Sequence, residues 1–518
     1  MSWWRAGRGR RRRGRRRPGP AGRPGPGRRF AGPRGAAPGL SSHLASSLWG
    51  VRLHGSNCNS KGAGSQVQNR GGRTHVLPLT RALLLQYHYA RQRLNGGYER
   101  MRRIVIFEDR HYGELYPLTC LRPAFQLRCG AYTPQERMRT VAGKASVQCW
   151  VMAEREPILA AAGRNTPADI RAVGAGAVAL VNGRAVLPAA LWQRISKTPP
   201  NAAFLFEGHL VAAVIQDVLL HQLASEQPDE AAFASLMPLC KTVEIKEGLA
   251  FHPWDLVNMN GRMIEDDAAG FRDGGGKLGP GVSLLGKRAH LRMVRKAVVE
   301  PGVVLDTRSG PIIIDGGALV RGPGRIEGPC YIGPDCIVDG ARLRPGVSLG
   351  RCCRVSGEVE QSVFMDFSNK HHDGFLGHGY VGSWVNLGAQ TCNSDLKNNY
   401  SSVSVWTDGR MADTGSIKVG CFIGDHVKTA IGTMINTGTV IGPGCNVFGG
   451  PVRKHLPPFS WGCSGSFREH SIDKMLETAG AVMARRRQKL SAELAAAIRA
   501  LFQSTADLRK TTAKGGTA

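Results

Sequence analysis

An aliphatic residue returns every six positions through the second half of this chain. A period of six excludes an amphipathic helix, which repeats at about 3.6, and a half-buried strand, which repeats at about 2. The series runs Ile314, Val320, Ile326, Ile332 and Val338 and resumes at Val381 and Leu387. It continues as Ile417, Ile423, Ile435, Ile441 and Val447, with Thr429 filling the gap. Four residues after most of these stands a small or β-branched side chain, as at Ala318, Cys330, Cys336, Val385, Thr391, Cys421, Val427 and Cys445; Arg342 is an exception. Glycine commonly follows the aliphatic residue, as in Ile332-Gly333-Pro334 and Ile441-Gly442-Pro443. The pattern predicts a left-handed parallel β-helix from about 314 to 447. Each hexapeptide forms a flat side and a corner, and three close a coil. Coils then stack at the strand spacing of about 4.8 Å. Chance glycine-rich turns are the alternative, and six consecutive matches from 417 to 447 weigh against it.

The segment from about 392 to 416 breaks the register and reads as a loop thrown out from one corner, where function concentrates. After Trp461 the repeat stops. Leu476, Ala479, Met483, Leu490, Leu494, Ala497 and Leu501 then mark a C-terminal helix with Ser471 as its N-cap and Arg485-Arg486-Arg487 on its solvated face. Upstream, residues 101–262 alternate apolar strands (Arg103–Phe107, Val147–Met152, Val178–Val181, Ala202–Phe206) with helix-like runs (Pro134–Val141, His209–Leu223). That alternation predicts an α/β layer domain. The expected organisation is a basic extension over 1–100, the α/β domain over 101–262, a linker over 263–300, the solenoid over 301–462 and a helical tail over 463–518.

The net charge of +30 raises the question of nucleic acid, but +20 of it falls in residues 1–100, where 21 Lys/Arg face a single acid, Glu99. That arginine-, glycine- and proline-rich stretch reads as disordered, and translation is expected to begin at Met101, where Ile104-Val105-Ile106-Phe107 opens a strand. Nucleic-acid binding is therefore not expected. The 13 cysteines show no CxxC pairs, and several occupy small-residue positions of the repeat, which suits reduced thiols in a cytoplasmic protein. No apolar run of about 18 residues is present, so no membrane span is expected.

Two stretches carry a resemblance. Leu115-Tyr116-Pro117-Leu118-Thr119-Cys120-Leu121-Arg122-Pro123-Ala124-Phe125-Gln126-Leu127 resembles the R-L-x-P-L-T-x-x-x-P-K-x-L segment of sugar-1-phosphate nucleotidyltransferases. His372-Asp373-Gly374-Phe375-Leu376-Gly377, then Asn386-Leu387-Gly388-Ala389 and Thr391-Cys392-Asn393, is similar to H-x-x-Y-L-G, N-I-G-A and T-C-N. Those motifs belong to the acetyltransferase half of the bifunctional N-acetylglucosamine-1-phosphate uridylyltransferase and glucosamine-1-phosphate acetyltransferase family. The chain is identified as a divergent branch of it. The resemblance implies a Rossmann-like first domain, a homotrimer of β-helices and acetyl-CoA, or another acyl-CoA, bound between neighbouring prisms. It places His372 as general base, with Asn386 and Asn393 on the sugar or the pantetheine amides and Lys370 and Lys397 near phosphate. Sugar phosphate and nucleoside triphosphate would meet the first domain at Thr119, Arg122 and Arg128. Departures are also visible. Acidic Glu108–Glu114 replaces a glycine-rich phosphate loop, Ala124 replaces a lysine, and Asn182 stands where an aspartate would hold Mg²⁺, leaving Asp255 as the candidate metal carboxylate.

Two other functions fit the same solenoid. His371, His372, His378 and His426 suggest a zinc site resembling that of γ-type carbonic anhydrases, although His372 and His378 do not show the expected H-x₄-H spacing. A non-catalytic scaffold is the other.

Overall fold

A computed structural model describes residues 101–513 except 164, 169, 171–175, 224, 408 and 464–466. The basic extension and the expected start at Met101 therefore concern a segment outside the described residues. Six strands form the first sheet: β1 (Met101–Phe107), β2 (Ser146–Trp150), β3 (Ala177–Asn182), β4 (Ala202–Phe206), β5 (His209–Gln216) and β6 (Lys241–Glu244). Their order is β2-β1-β3-β5-β4-β6. β1 is parallel to β2 and β3, while β5 runs antiparallel to β3 and β4. Side chains alternate between two cores, Ile104 and Ile106 on one face and Val105 and Phe107 on the other, as a sheet covered on both sides requires. Helices α1 (Pro134–Val141), α2 (Glu156–Ala161), α3 (Ala189–Ser196), α4 (Glu230–Leu236) and α5 (Pro253–Asp267) complete this domain.

The helix expected over His209–Leu223 is a strand followed by a short 3₁₀ turn. Glu207 (φ 50°) and Gly208 (φ 78°) form a two-residue hairpin loop that pairs Phe206 with His209. Positive φ at both positions makes the tight turn whose twist suits a hairpin, and Val211, Val214 and Ile215 then favour the extended state.

The solenoid is a three-sided parallel β-helix with ladders of six, six and nine strands. It begins at Lys277–Leu278, inside the 263–300 stretch expected as linker; α5 runs on to Asp267, and only about 271–276 connects the two. Outside the insertion, successive coils stack fifteen to twenty-one residues apart, as in Leu349↔Phe364, Val320↔Val338 and Val299↔Val320. Ile314, Val320, Ile326, Ile332, Val338, Ile423, Ile435, Ile441 and Val447 share one interior column of buried side chains. Ile417 breaks the expectation. It is 51% exposed and lies outside every ladder, because the register resumes only at Cys421–Ile423. The insertion therefore spans about 394–420, since Cys392–Asn393 still pairs with Met434–Ile435. Its hairpin, Ser404–Thr407 against Arg410–Asp413, folds back so that Trp406 stacks on His455 at 3.7 Å.

The outer side of the nine-stranded face is apolar, and the first domain covers it. Val363, Met365, Tyr380, Phe422 and Val440 pack with Leu115, Leu118, Trp254 and Val257. Burying each large side chain there contributes roughly 1.5–3 kcal/mol. Polar contacts fix the register of the docking: Asn260 Nδ2 donates to the Gly346 carbonyl (2.8 Å), and the Tyr380 hydroxyl donates to the Arg128 carbonyl (3.0 Å).

The tail is three helices, α6 (Ile472–Ala484), α7 (Ala492–Ser504) and α8 (Ala506–Ala513), rather than one. Ser471 makes no side-chain cap, whereas Ser491 accepts from the Leu494 amide and starts α7. Arg485–Arg487 lies past the end of α6, with Arg487 at φ 57°, and Arg486 donates to Asn369 Oδ1 (2.8 Å) on the solenoid.

Candidate active sites

β1 and β3 are parallel and end side by side, and ligands of α/β sheets bind beyond such carboxyl ends. Asp109 follows β1, and Asn182 and Arg184 close β3. The buried Arg184 guanidinium donates to Asp109 from Nη2 (3.0 Å) and Nε (3.3 Å), and its Nη1 lies 3.6 Å from Glu114. Asn182 Nδ2 also donates to Asp109 (2.8 Å). His111 Nδ1 meets Glu114 Oε1 at 2.9 Å, and the His209 ring stands 5.0 Å from the His111 ring. Burial first, and then the Arg184 charge, lowers the pKa of His209. Glu108, deeper, accepts from the Ala124 amide (2.6 Å) and from Arg155 Nε (2.9 Å). Each acid in place of the expected glycine loop is thus held by an amide or a guanidinium.

This arrangement does not fit Mg²⁺. Asp109 and Glu114 already share a guanidinium, and a second cation between them would be repelled. Asp255 is occupied otherwise: Oδ2 accepts from the Phe251 (2.9 Å) and His252 (2.8 Å) amides and caps α5. No group of three or more His, Cys, Asp or Glu side chains is assembled for a metal among the described residues.

The other candidates in this domain are committed to packing. Thr119 Oγ1 donates to the Tyr112 carbonyl (2.8 Å) and is buried. Arg122 forms a 2.5 Å ion pair with Asp425 on the solenoid. Arg128, 5% exposed, donates to the Ala131 carbonyl and lies 3.7 Å from Asp366. Both arginines join the domains and present no free guanidinium to a phosphate.

On the solenoid, His372 is exposed at the corner between Asn369–Lys370 and Phe375–Gly377. Lys370 points inward. Its Nζ donates to the Ser356 (2.9 Å) and His372 (3.2 Å) carbonyls, and burial pushes its pKa down to about 8. A Cβ at Gly357 would fall 2.8 Å from that Nζ, which with φ +74° explains the glycine. Asn393 is also internal. It accepts from the Gly377 amide (2.8 Å) and donates to the Gly377 carbonyl (2.9 Å), tying consecutive coils. Asn386 is exposed and lies next to Asn369 in the ladder. Lys397, half-buried in the insertion, donates to the Ser402 carbonyl. Of the residues expected on this half, only His372 and Asn386 present their side chains openly.

The four histidines of the zinc alternative do not converge. His371 Nε2 faces Asp339 at 3.3 Å, His378 Nδ1 faces Asp395 at 2.7 Å, and His426 is buried, its pKa driven to about 3 by burial. The His378–Asp395 pair and the Arg184 cluster are the arrangements that sequence reasoning missed. The signal for the first is its spacing of seventeen residues, one coil, which stacks the two side chains.

Residues 104–274 match the family described as sugar nucleotidyl transferase. The chain is 35% identical over 97 residues to the bifunctional sugar-1-phosphate nucleotidylyltransferase/acetyltransferase of Sulfurisphaera tokodaii, covering 19% of this chain and 24% of that protein. It is 29% identical over 156 residues to the bifunctional protein GlmU of Jannaschia sp., covering 30% and 31%. A solved structure, an Arabidopsis UDP-N-acetylglucosamine acyltransferase, aligns with 41% of this chain and 76% of its own at 10% identity, with a TM-score of 0.16 that carries no weight. The chain thus spans about a quarter to a third of the length of the curated relatives it matches.

Proposed function

We propose that this chain is a transferase of sugar-nucleotide synthesis. Its first domain takes a sugar phosphate and a nucleoside triphosphate, and its solenoid passes an acyl group from acetyl-CoA, or another acyl-CoA, to an amino sugar. One observation carries the reading. A sugar nucleotidyl transferase domain is followed by a solenoid whose turns hold His372-Asp373-Gly374-Phe375-Leu376-Gly377, Asn386-Leu387-Gly388-Ala389 and Thr391-Cys392-Asn393. His372 is the imidazole that the resemblance nominates as proton acceptor, with Asn386 as an exposed hydrogen-bonding partner for the acceptor sugar or the pantetheine arm. In the first domain the Arg184 guanidinium is buried and shared by Asp109 and Glu114 beside the strand ends, and no phosphate contact is assigned to it. No step there is assigned to Mg²⁺.

A homotrimer is proposed with this reading, supported by the exposed Ile431 and Met434 on the later coils. A cytoplasmic location is proposed from the described cysteines, all free thiols. No helix among the described residues is long and apolar enough to cross a membrane. The test uses the full chain with acetyl-CoA and a panel of amino-sugar phosphates and nucleotide-linked amino sugars. In parallel, pyrophosphate release is followed with sugar-1-phosphates and each nucleoside triphosphate. Acylated product is expected; no product across the acyl panel would remove the acyltransferase reading, and no pyrophosphate would remove the nucleotidyl one.

A further inference from the structure

Resting on the acyl-transfer reading, we infer that His378, oriented by Asp395, is the imidazole that takes the proton from the attacking amine on this solenoid. The ground is geometric. His378 Nδ1 lies 2.7 Å from Asp395 Oδ2, and both side chains are mostly buried, at 7% and 13% exposure. With Nδ1–H donated to the carboxylate, Nε2 carries the free lone pair. Nε2 has no hydrogen-bond partner among the described residues and is not one of the polar atoms sealed from solvent. A base whose far nitrogen is held by a carboxylate and whose near nitrogen is open is the arrangement that proton abstraction needs.

The backbone is as firmly held as the ring. The His378 amide donates to the Glu360 carbonyl (3.1 Å) on the preceding coil, and its carbonyl accepts from Gly420 (2.9 Å) on the next. His378 sits at φ 50°, the left-handed corner conformation that Gln361 (φ 36°) also adopts one coil before it. His372, by contrast, is exposed on its corner, with its ring 6.1 Å from the His371 ring and, among the described residues, no carboxylate paired with it. The charged groups around the dyad are Asp395, Glu360 and Lys418, whose Nζ is 3.8 Å from Glu360. Burial disfavours the Asp395 anion, but its hydrogen bond to His378, the His378 charge and Lys418 outweigh that and lower its pKa.

The step balances without redox change. The amine nitrogen forms its bond to the acyl carbon, the carbon–sulfur bond breaks, and the amine proton passes to Nε2. It then moves to the departing thiolate, leaving amide and free thiol.

The test compares His378→Asn, Asp395→Asn, Asp395→Glu and His372→Ala in the full chain, with acetyl-CoA and the amino-sugar panel and coenzyme A release followed by mass spectrometry. Asparagine suits the left-handed corner and can still donate to Asp395. His378→Asn is expected to lower kcat by about 100-fold or more while acetyl-CoA affinity stays within about threefold. Asp395→Asn is expected to lower kcat/KM at least about tenfold, because the carboxylate that orients the ring is gone; Asp395→Glu restores most of the rate. His372→Ala should give the smaller loss. Wild-type kcat in folded His378→Asn, or loss confined to His372→Ala, overturns the assignment alone. A wild-type protein that acylates nothing on the panel overturns the acyl-transfer reading and the assignment with it. If His378→Asn does not fold, the Asp395 variants decide: an unchanged kcat/KM in Asp395→Asn, or a loss that Asp395→Glu does not restore, overturns the proposal.

Discussion

Asn393 shows how a residue with a functional resemblance can be spent on architecture. Its amide satisfies both the N–H and the C=O of Gly377, which lie inside the stack and have no water to turn to. Asn393→Ala is expected to destabilise the protein by about 2–4 kcal/mol, because two buried backbone groups lose their partner. Chemical denaturation measures that loss, and an unchanged midpoint would return the residue to the ligand. His455 is a second case. It stacks on Trp406, meets the Tyr116 hydroxyl at 3.0 Å, and burial drives its pKa to about 3. The unfolded chain, with an ordinary histidine pKa, binds the proton first. The neutral ring's contribution is therefore full above about pH 6.5 and falls by about 1.4 kcal/mol per pH unit towards pH 3. His455→Phe keeps the stack, loses a hydrogen bond worth about 1 kcal/mol at pH 7 and should show a flatter acid limb in melting temperature. A limb as steep as the wild type's would show that His455 is not the group being protonated. Such roles were illegible in sequence because they depend on what lies one coil away, and a motif reports only its own segment.

At the scale of elements, the hexad was legible because burial in a solenoid follows a period along the chain, with no need of distant partners. Ile332 illustrates it: the sequence places it inward, and the structure stacks it on Ile314 and Leu349 within the column. Ile332→Ala is expected to cost about 2–5 kcal/mol, since coils above and below cannot close the cavity without breaking their own ladders. Equilibrium unfolding reads that loss, and a cost below about 1 kcal/mol would mean that the coils relax independently. The same logic misread Ile417, whose hexad spacing is a coincidence of insertion length, and His209–Leu223, where apolar residues decided nothing between helix and strand. Glu207-Gly208 held the deciding signal, a turn that reverses the chain in two residues. Functional side chains were the least legible because lysine and arginine can serve a phosphate or a carbonyl equally well. Lys370 took carbonyls, and Arg122 took Asp425.

For the whole molecule, the question is what covers the three outer faces of the prism. The nine-stranded face is closed by the first domain, and Arg486 after α6 reaches Asn369 on a second. On the last coils the third side keeps Met434 (74% exposed), beside Cys392 in its ladder, with Ile431 (79% exposed) at the preceding corner. Two large apolar side chains so exposed, on a rigid scaffold whose other faces are engaged, favour burial against another copy of the chain. A closed trimer leaves no such surface unpaired, whereas a head-to-tail contact that failed to close would build fibres. Light scattering on the full chain is therefore expected to return three times the chain mass, and Ile431→Asp with Met434→Asp to shift it towards the monomer with the melting of the solenoid little changed. The acyl reading makes a coupled demand. If acyl-CoA lies between prisms, the double variant must lose acetyl-CoA affinity together with assembly, while binding of nucleotide-sugars by the first domain persists. A monomeric variant that still binds acetyl-CoA would separate the two, placing the acyl site on a single prism.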